Sequence, residues 1–131
     1  MEKDFYQISS KQGFMKHNGG LWFRDISKND YQFKTVINEN HLNAAGITHG
    51  GFIASIIDAG AGTAAHKASE QRSCVTISLD IKFIKATSLK DEVIGFVKIQ
   101  KITKTMVFLI CHLECNGNLI ASGSEIGRAH V

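Results

Sequence analysis

The Gly50-Gly51 pair stands at the start of a predicted helix, where it could bind a carbonyl group. The first turn of a helix presents backbone N–H groups without intrahelical partners, together with a partial positive charge. Because glycine has no Cβ, a ligand can approach these N–H groups closely enough for them to polarise a carbonyl and hold the oxyanion of an acyl-transfer step. The alternative is a glycine pair that only turns the chain into the helix, and the pair by itself favours that alternative.

Asp58 is the candidate base or nucleophile. It follows Gly51 by seven residues, so two helical turns place both residues on the same side of the helix. Its neighbours Ile57 and Ala59 are apolar, and a carboxylate buried among such residues is costly unless it is paired, but is also a stronger base. The alternative is an aspartate on the solvent-exposed face of the helix. The small residues that follow Asp58 leave little solvent-exposed surface on the helix. This slightly favours a role for Asp58 as a base or nucleophile.

Three further polar side chains belong to the candidate site. Asn43 and His49 can each donate and accept a hydrogen bond and so could orient a substrate carbonyl or a leaving group. Capping of a turn is the more common use of either residue alone. Thr76 falls on the polar side of a predicted strand, where its hydroxyl could hold a water, although ordinary strand propensity explains an isolated threonine as well.

The sequence contains no motif for a metal or a nucleotide cofactor. Its six histidines and three cysteines form no CxxC, HExxH or paired-histidine spacing, and there is no GxxxxGK[ST], GxGxxG or GxSxG. Cys111 and Cys115 lie four apart on one face of a predicted strand, which favours packing in the core. We therefore expect neither a metal nor a bound cofactor.

A helix and a sheet must position these residues. A stripe of apolar side chains at i, i+1, i+4 and i+5, beginning with Phe52, predicts one long helix from His49 or Gly50 to about Ala68. Two glycines near its middle each cost about 1 kcal/mol relative to alanine. They indicate that another backbone approaches the helix closely and that a sheet buries it.

The rest of the chain is mainly strand. The spacing of Phe5 and Ile8 predicts a short N-terminal helix, and alternating or apolar runs bounded by turn residues predict strands. These strands cover residues 21–26, 31–37, 75–83, 93–99, 106–113 and 119–126. The fold class is α+β, a mainly antiparallel sheet of five to six strands around one central helix. Two strands are apolar on both faces, which predicts an oligomer that covers the second face.

Length and composition predict one soluble domain over residues 1–131. The net charge of +3, without a long basic run, argues against nucleic-acid binding. Three cysteines favour a reducing compartment. The longest apolar run is far shorter than the roughly 20 residues of a membrane span, and the N-terminus has no signal-peptide pattern. We expect a cytoplasmic protein that does not bind a membrane.

The pattern HxNxxGxxHGGxxxxxxD runs from His41 to Asp58, and Thr76 follows in a strand. This pattern resembles the hotdog-fold acyl-CoA thioesterases of the phenylacetate-degradation (PaaI-like) type. The resemblance implies a curved antiparallel sheet wrapped around a long helix. It further implies that two subunits join their sheets edge to edge, that dimers pair into a tetramer, and that the site lies at the dimer interface.

The resemblance also implies a reaction, the hydrolysis of an acyl-CoA to the free acid and CoA. The N–H of Gly50, with Gly51 beside it, would polarise the thioester carbonyl, while Asp58 of the partner subunit would activate a water or attack directly. In the same family pattern Thr76 positions the water, and Asn43 and His49 orient the thioester and the leaving sulfur. Coenzyme A is part of the substrate, and no other cofactor is implied.

Alternatives and details remain open from the sequence. A non-catalytic acyl-CoA-binding protein could retain the same fold, and hotdog enoyl-CoA hydratases or dehydratases use a histidine with a carboxylate instead. The spacing of Gly50 and Asp58 suits thioester hydrolysis better. Phe52 is a candidate for the acyl pocket, whose shape the sequence does not define. Lysines 82, 85 and 104 are candidates for contact with the CoA phosphates, although surface lysines are usually only solvated.

Overall fold

One long helix packs on a seven-stranded antiparallel sheet in the computed structural model, which describes residues 4–129. The sheet order is β1-β2-β3-β5-β6-β7-β4, so β4 forms one edge. The first three and last two residues of the predicted domain lie outside the described range. The elements in chain order are β1 Tyr6–Ile8, α1 Gly13–His17, β2 Leu21–Asp25, β3 Asp30–Val36, a 3-10 turn Glu39–His41, α2 Gly50–Ala68, β4 Cys74–Phe83, β5 Glu92–Ile102, β6 Met106–Cys115 and β7 Asn118–Ala129.

The predicted α+β class is confirmed, but the predicted count of five to six strands is too low. The additional strand is β1, where the spacing of Phe5 and Ile8 predicted a short helix. Residues of β1 pair with β2 in register from Tyr6 opposite Phe23 to Ile8 opposite Leu21. So short a segment gains little as an isolated helix, whereas the open edge of β2 supplies backbone partners.

The helix lies against the sheet through a core that excludes water. Phe33 of β3 is completely buried, and its ring fills the space where a Cβ would stand on Gly60 of α2 or Gly95 of β5. A close approach was predicted for the helix glycines and is present at Gly60, but the side-chain ring of Phe33 makes it and not the backbone that was predicted. At Gly62 the prediction is wrong, because a Cβ added there would have open space around it out to 4 Å. Cys111 and Cys115 are buried, as predicted.

Alanine substitutions at the two helix glycines are expected to change stability in opposite directions. Gly60→Ala places a Cβ 2.3 Å from the Phe33 ring, and we expect it to lower the free energy of unfolding by about 2–3 kcal/mol through overpacking. Gly62→Ala gains helix propensity without a clash, and we expect it to raise stability by about 0.5–1 kcal/mol. Urea unfolding of both variants measures the difference, and equal effects would contradict the assigned packing.

The edge strand β4 leaves apolar side chains without cover from its own chain. Val75 and Ile77 are each 46% exposed and Phe83 is 59% exposed. Within residues 4–129, β7 is the only strand that pairs with β4. A long edge strand with exposed apolar residues is a template for pairing with another chain.

A β-bulge changes which side of β4 carries its polar residues. Thr76 pairs with Gly127 of β7, whereas Ser78 pairs with the adjacent Ile126. The extra residue between them places Thr76 on the same face of the sheet as Leu79, which is the face toward the helix. Simple alternation had predicted that Thr76 shares the polar face with Ser78, and the bulge makes that prediction wrong.

Candidate active site

The helix N-terminus presents one free backbone donor. His49 is the N-cap of α2, and its Nδ1 accepts a hydrogen bond of 2.8 Å from the Gly51 N–H. A Cβ on Gly51 would lie 2.9 Å from the same nitrogen, so this cap requires glycine. Within the described chain the Gly50 N–H has no acceptor. The two glycines thus have different roles. The Gly51 N–H donates to the N-cap His49, and the Gly50 N–H is available for a ligand.

The loop before the helix is held by its own polar side chains. Asn43 Oδ1 accepts hydrogen bonds from the N–H groups of Ala45 at 2.9 Å and Ile47 at 3.3 Å. The oxygen of Asn43 therefore serves the turn, and its amide NH₂ is the part that can reach a ligand in the adjoining cleft. Asn43 and His49 therefore have structural contacts in the loop and the helix cap. Their predicted roles in orienting the thioester and the leaving sulfur remain predictions.

Histidine 41, which begins the sequence motif, is an anchor of the same loop. It is 2% exposed, and its Nδ1 accepts a hydrogen bond of 3.0 Å from the N–H of Asn38. Its ring stacks on Phe52 with a centroid distance of 3.6 Å. Phe52 is itself buried and is part of the hydrophobic core. Contact of Phe52 with an acyl chain remains a prediction.

The carboxylate of Asp58 is paired with the hydroxyl of Thr76. Thr76 Oγ1 donates a hydrogen bond of 2.7 Å to Asp58 Oδ1, which joins the helix to the edge strand. The bulge in β4 permits this contact because it turns Thr76 toward the helix. Asp58 is half-buried and opens into a cleft of ≈ 390 Å³ that Gly62 and His66 also line. The Oδ2 atom of Asp58 can therefore accept a hydrogen bond from a water.

The free amide and the carboxylate lie at separate places on one chain. Asp58 follows Gly50 by eight residues along the helix, a rise of about 12 Å. Gly50 lines a second cleft of ≈ 320 Å³ beside Phe83, at the opposite end of β4 from Thr76. Within one chain, the Gly50 N–H and the Asp58 carboxylate are therefore too far apart to act on the same carbonyl group. Both lie beside the exposed edge strand β4.

The most deeply buried carboxyl group near this site, that of Glu125, was not among the residues predicted from the sequence. Glu125 of β7 is 3% exposed, and burial, followed by a hydrogen bond to Asp58 and the negative charge of Asp58, raises the pKa of Glu125 to about 9. The sequence does contain a signal for this position. Glu125 shares one face of its strand with the small residues Ala121, Gly123 and Gly127, and a face of small residues suits a strand that lies under a helix.

Residues 4–129 contain no group of three or more His, Cys, Asp or Glu side chains arranged to hold a metal ion. Neither helix in this part of the chain has the length and hydropathy needed to cross a bilayer.

The fold is a hotdog fold, as comparison with solved structures shows. Zebra fish thioesterase superfamily member 2 superposes with a TM-score of 0.84 at 20% identity, over 92% of this chain and 90% of that chain. A mutant of the phenylacetic acid degradation protein PaaI from Thermus thermophilus superposes with a TM-score of 0.80 at 16% identity, over 89% and 98% of the two chains.

The chain belongs to the Thioesterase superfamily, whose sequence profile matches residues 45–121. A similar protein in sequence is PA0474 of Pseudomonas aeruginosa, whose name describes it provisionally as an esterase. It is 29% identical over 91 residues, which are 69% of this chain and 68% of the relative. The matched profile includes Gly50, Asp58 and Thr76 but ends before Glu125.

Proposed function

We propose that the protein is an acyl-CoA thioesterase whose active sites each combine two copies of the chain. The observation that carries the proposal is the position of two complementary groups at opposite ends of β4: the free N–H of Gly50 beside Phe83, and the Asp58–Thr76 pair. Membership of the Thioesterase superfamily supports hydrolysis of a thioester. The resemblance of the His41–Asp58 motif to PaaI-like enzymes supports a CoA ester as substrate.

Antiparallel pairing of two β4 strands would complete the site. Because the bulge sets two residues of this strand opposite one residue of its neighbour, a two-fold axis at Leu79 or Asp80 would set Phe83 of the second copy opposite Cys74 or Thr76, on the same face of the sheet. Paired strands lie about 5 Å apart. A Cβ on Gly50 would be 3.5 Å from the Phe83 ring, so the helix N-terminus of the second copy would come near Asp58. The same pairing would cover the exposed apolar residues of β4.

Each group then has a chemical task in the hydrolysis. The thioester carbonyl oxygen accepts a hydrogen bond from Gly50, and the helix dipole stabilises the charge that develops on it. Asp58 removes a proton from a water while the water oxygen attacks the carbonyl carbon, and the Thr76 hydroxyl helps to place that water. The C–S bond breaks, and the CoA thiolate takes up the proton that Asp58 removed from the water, which restores the carboxylate. Direct attack by Asp58, followed by hydrolysis of the resulting anhydride, uses the same geometry.

The face of the sheet that points away from α2 could form the interface through which two dimers pair into a tetramer. A groove of ≈ 730 Å³ lies there, lined by Phe96 and Ile110 among other residues, and Ile110 is 40% exposed. Polar side chains such as Gln32, His112 and Ser124 line the same groove, so a second interface there would combine apolar with polar contacts.

The test of the proposed function is an acyl-CoA screen. Aliphatic and aromatic acyl-CoAs are incubated with the protein, and the released thiol is followed with a chromogenic disulfide. Hydrolysis of one class well above the uncatalysed rate is the expected result. Tight binding of acyl-CoAs without release of thiol would instead identify a binding protein, and addition of water to an enoyl-CoA would identify a hydratase; either outcome overturns the proposal.

Lys85 is expected to affect substrate affinity more than turnover. It lines the Gly50 cleft, whereas Lys82 binds Asp80 with an Nζ–Oδ1 distance of 2.6 Å. An exposed contact with a CoA phosphate has a modest energy, so Lys85→Ala should raise KM by about fivefold and leave kcat nearly unchanged. Lys104→Ala, in the turn between β5 and β6, is the matched control. Equal KM changes in the two variants would remove Lys85 from the CoA contact.

A further inference from the structure

Glu125 lies where β7 passes directly beneath the helix. A Cβ on Gly123 would be 3.8 Å from Ile57 Cγ2, and one on Gly127 would be 4.0 Å from the Cβ of Ala65. These contacts bracket Glu125 on the face of the strand toward α2. The residue is 3% exposed, and its buried Oε1 has no hydrogen-bond partner among the described residues. A glutamate so placed is costly unless it is neutral or paired.

The surroundings of Glu125 contain no compensating cation within the described chain. From α2 it faces Asp58, and from β6 it faces the Cys111 thiol, whose own pKa burial raises to about 12. Its partner residue on β4 is Leu79, and the nearby polar group of that strand is the Thr76 hydroxyl. Because its environment disfavours the charged form, Glu125 carries its proton at neutral pH and is a hydrogen-bond donor.

We propose that neutral Glu125 donates a hydrogen bond to Asp58 and is the positioning residue that orients the reacting carboxylate. This inference rests on the proposed function of Asp58. Thr76 from β4 and Glu125 from β7 then hold Asp58 from two adjacent strands. Glu125, which is the more deeply buried of the two side chains, keeps its proton at neutral pH. Glu125 does not touch the substrate and acts only through Asp58.

The pH dependence of hydrolysis tests this role. As the pH rises through about 9, Glu125 loses its proton, its donor is replaced by a negative charge, and Asp58 is repelled. We expect the wild-type kcat to fall over that range after subtraction of uncatalysed thioester hydrolysis. Glu125→Gln retains a neutral donor at every pH, so its kcat at pH 7 should stay within about threefold of wild type and its alkaline decline should be absent.

A second variant separates hydrogen bonding from packing. Glu125→Leu fills similar space without a donor, and we expect kcat to fall about tenfold at pH 7 with KM nearly unchanged, because the loss concerns the reacting group and not substrate binding. If Glu125 only fills space, Leu and Gln variants should have equal kcat values. An alkaline decline that persists unchanged in Glu125→Gln would also overturn the proposal.

A measurement without substrate distinguishes failure of this inference from failure of the proposed function. A carboxyl pKa that is higher in the folded than in the unfolded state makes stability decrease as pH rises from the ordinary glutamate value toward about 9. The difference in urea midpoint between wild type and Glu125→Gln should therefore grow over that range, and less so in an Asp58→Asn background. A constant difference would overturn the carboxyl pair. A growing difference in a protein that hydrolyses no thioester would overturn its catalytic use and the proposed function together.

Discussion

Replacement of Asp58 by asparagine is expected to lower kcat/KM for acyl-CoA hydrolysis by about 100-fold or more. Asparagine has nearly the same shape, and its Oδ1 can still accept the hydrogen bond that Thr76 donates at 2.7 Å. It cannot take a proton from water, and it is a poor nucleophile. The substitution therefore removes the chemistry while it retains the contact between the helix and β4. Thiol release under steady-state conditions measures the effect.

Thr76→Val is the matched comparison for that experiment. Valine preserves the shape of the side chain and the strand propensity of the position, but it removes the donor to Asp58. We expect a smaller loss of kcat than for Asp58→Asn, because the carboxylate itself remains. Turnover that is unchanged in a folded oligomer of Asp58→Asn would remove Asp58 from the mechanism, whatever the behaviour of the threonine variant.

Two inactive variants should restore activity when they assemble together. Gly50→Pro removes the free N–H, and proline is tolerated at the first position of a helix, while the extended ψ of 133° at His49 suits a following proline. Loss of one such donor should reduce kcat by about 100-fold or more. In a dimer of Gly50→Pro with Asp58→Asn, one site combines the intact Gly50 with the intact Asp58. Random assembly should recover about a quarter of wild-type activity per chain.

The reciprocal assembly gives the opposite expectation. In a dimer of wild type with the double variant Gly50→Pro/Asp58→Asn, each shared site contains one damaged group, so that mixed dimer should be inactive. A site within one chain would instead leave the wild-type half active and would give no recovery in the first mixture. Co-expression with two affinity tags isolates both mixed species, and the two activities together decide between a shared and a single-chain site.

Periodic patterns predicted most of the secondary structure. The apolar stripe that begins at Phe52 predicted α2, and the alternation over residues 75–83 predicted β4, because each pattern reports the side of an element that meets the core. The short β1 was missed, since its three residues form a strand only against the open edge of β2. Pairing of that kind depends on a partner that is distant in sequence.

The candidate site was predictable where the information is local. Gly50 and Gly51 at a helix start, and Asp58 two turns later, follow from spacing alone. The different tasks of the two glycines were not predictable, because they depend on the rotamer in which the His49 ring accepts the Gly51 N–H. Asn43 likewise proved to use its oxygen within its own turn.

The sequence by itself determined the order of β2 to β7 along the chain, the long helix and the spacing of its glycines and aspartate, because these depend on neighbours within a few residues. Only the tertiary structure decided that Thr76 faces Asp58 and that Glu125 lies beneath the same helix. The first contact needs a bulge that shifts the register of β4 against β7. The second needs two elements far apart in the chain to exclude water together, and the small residues in phase with Glu125 do not by themselves say which helix covers them.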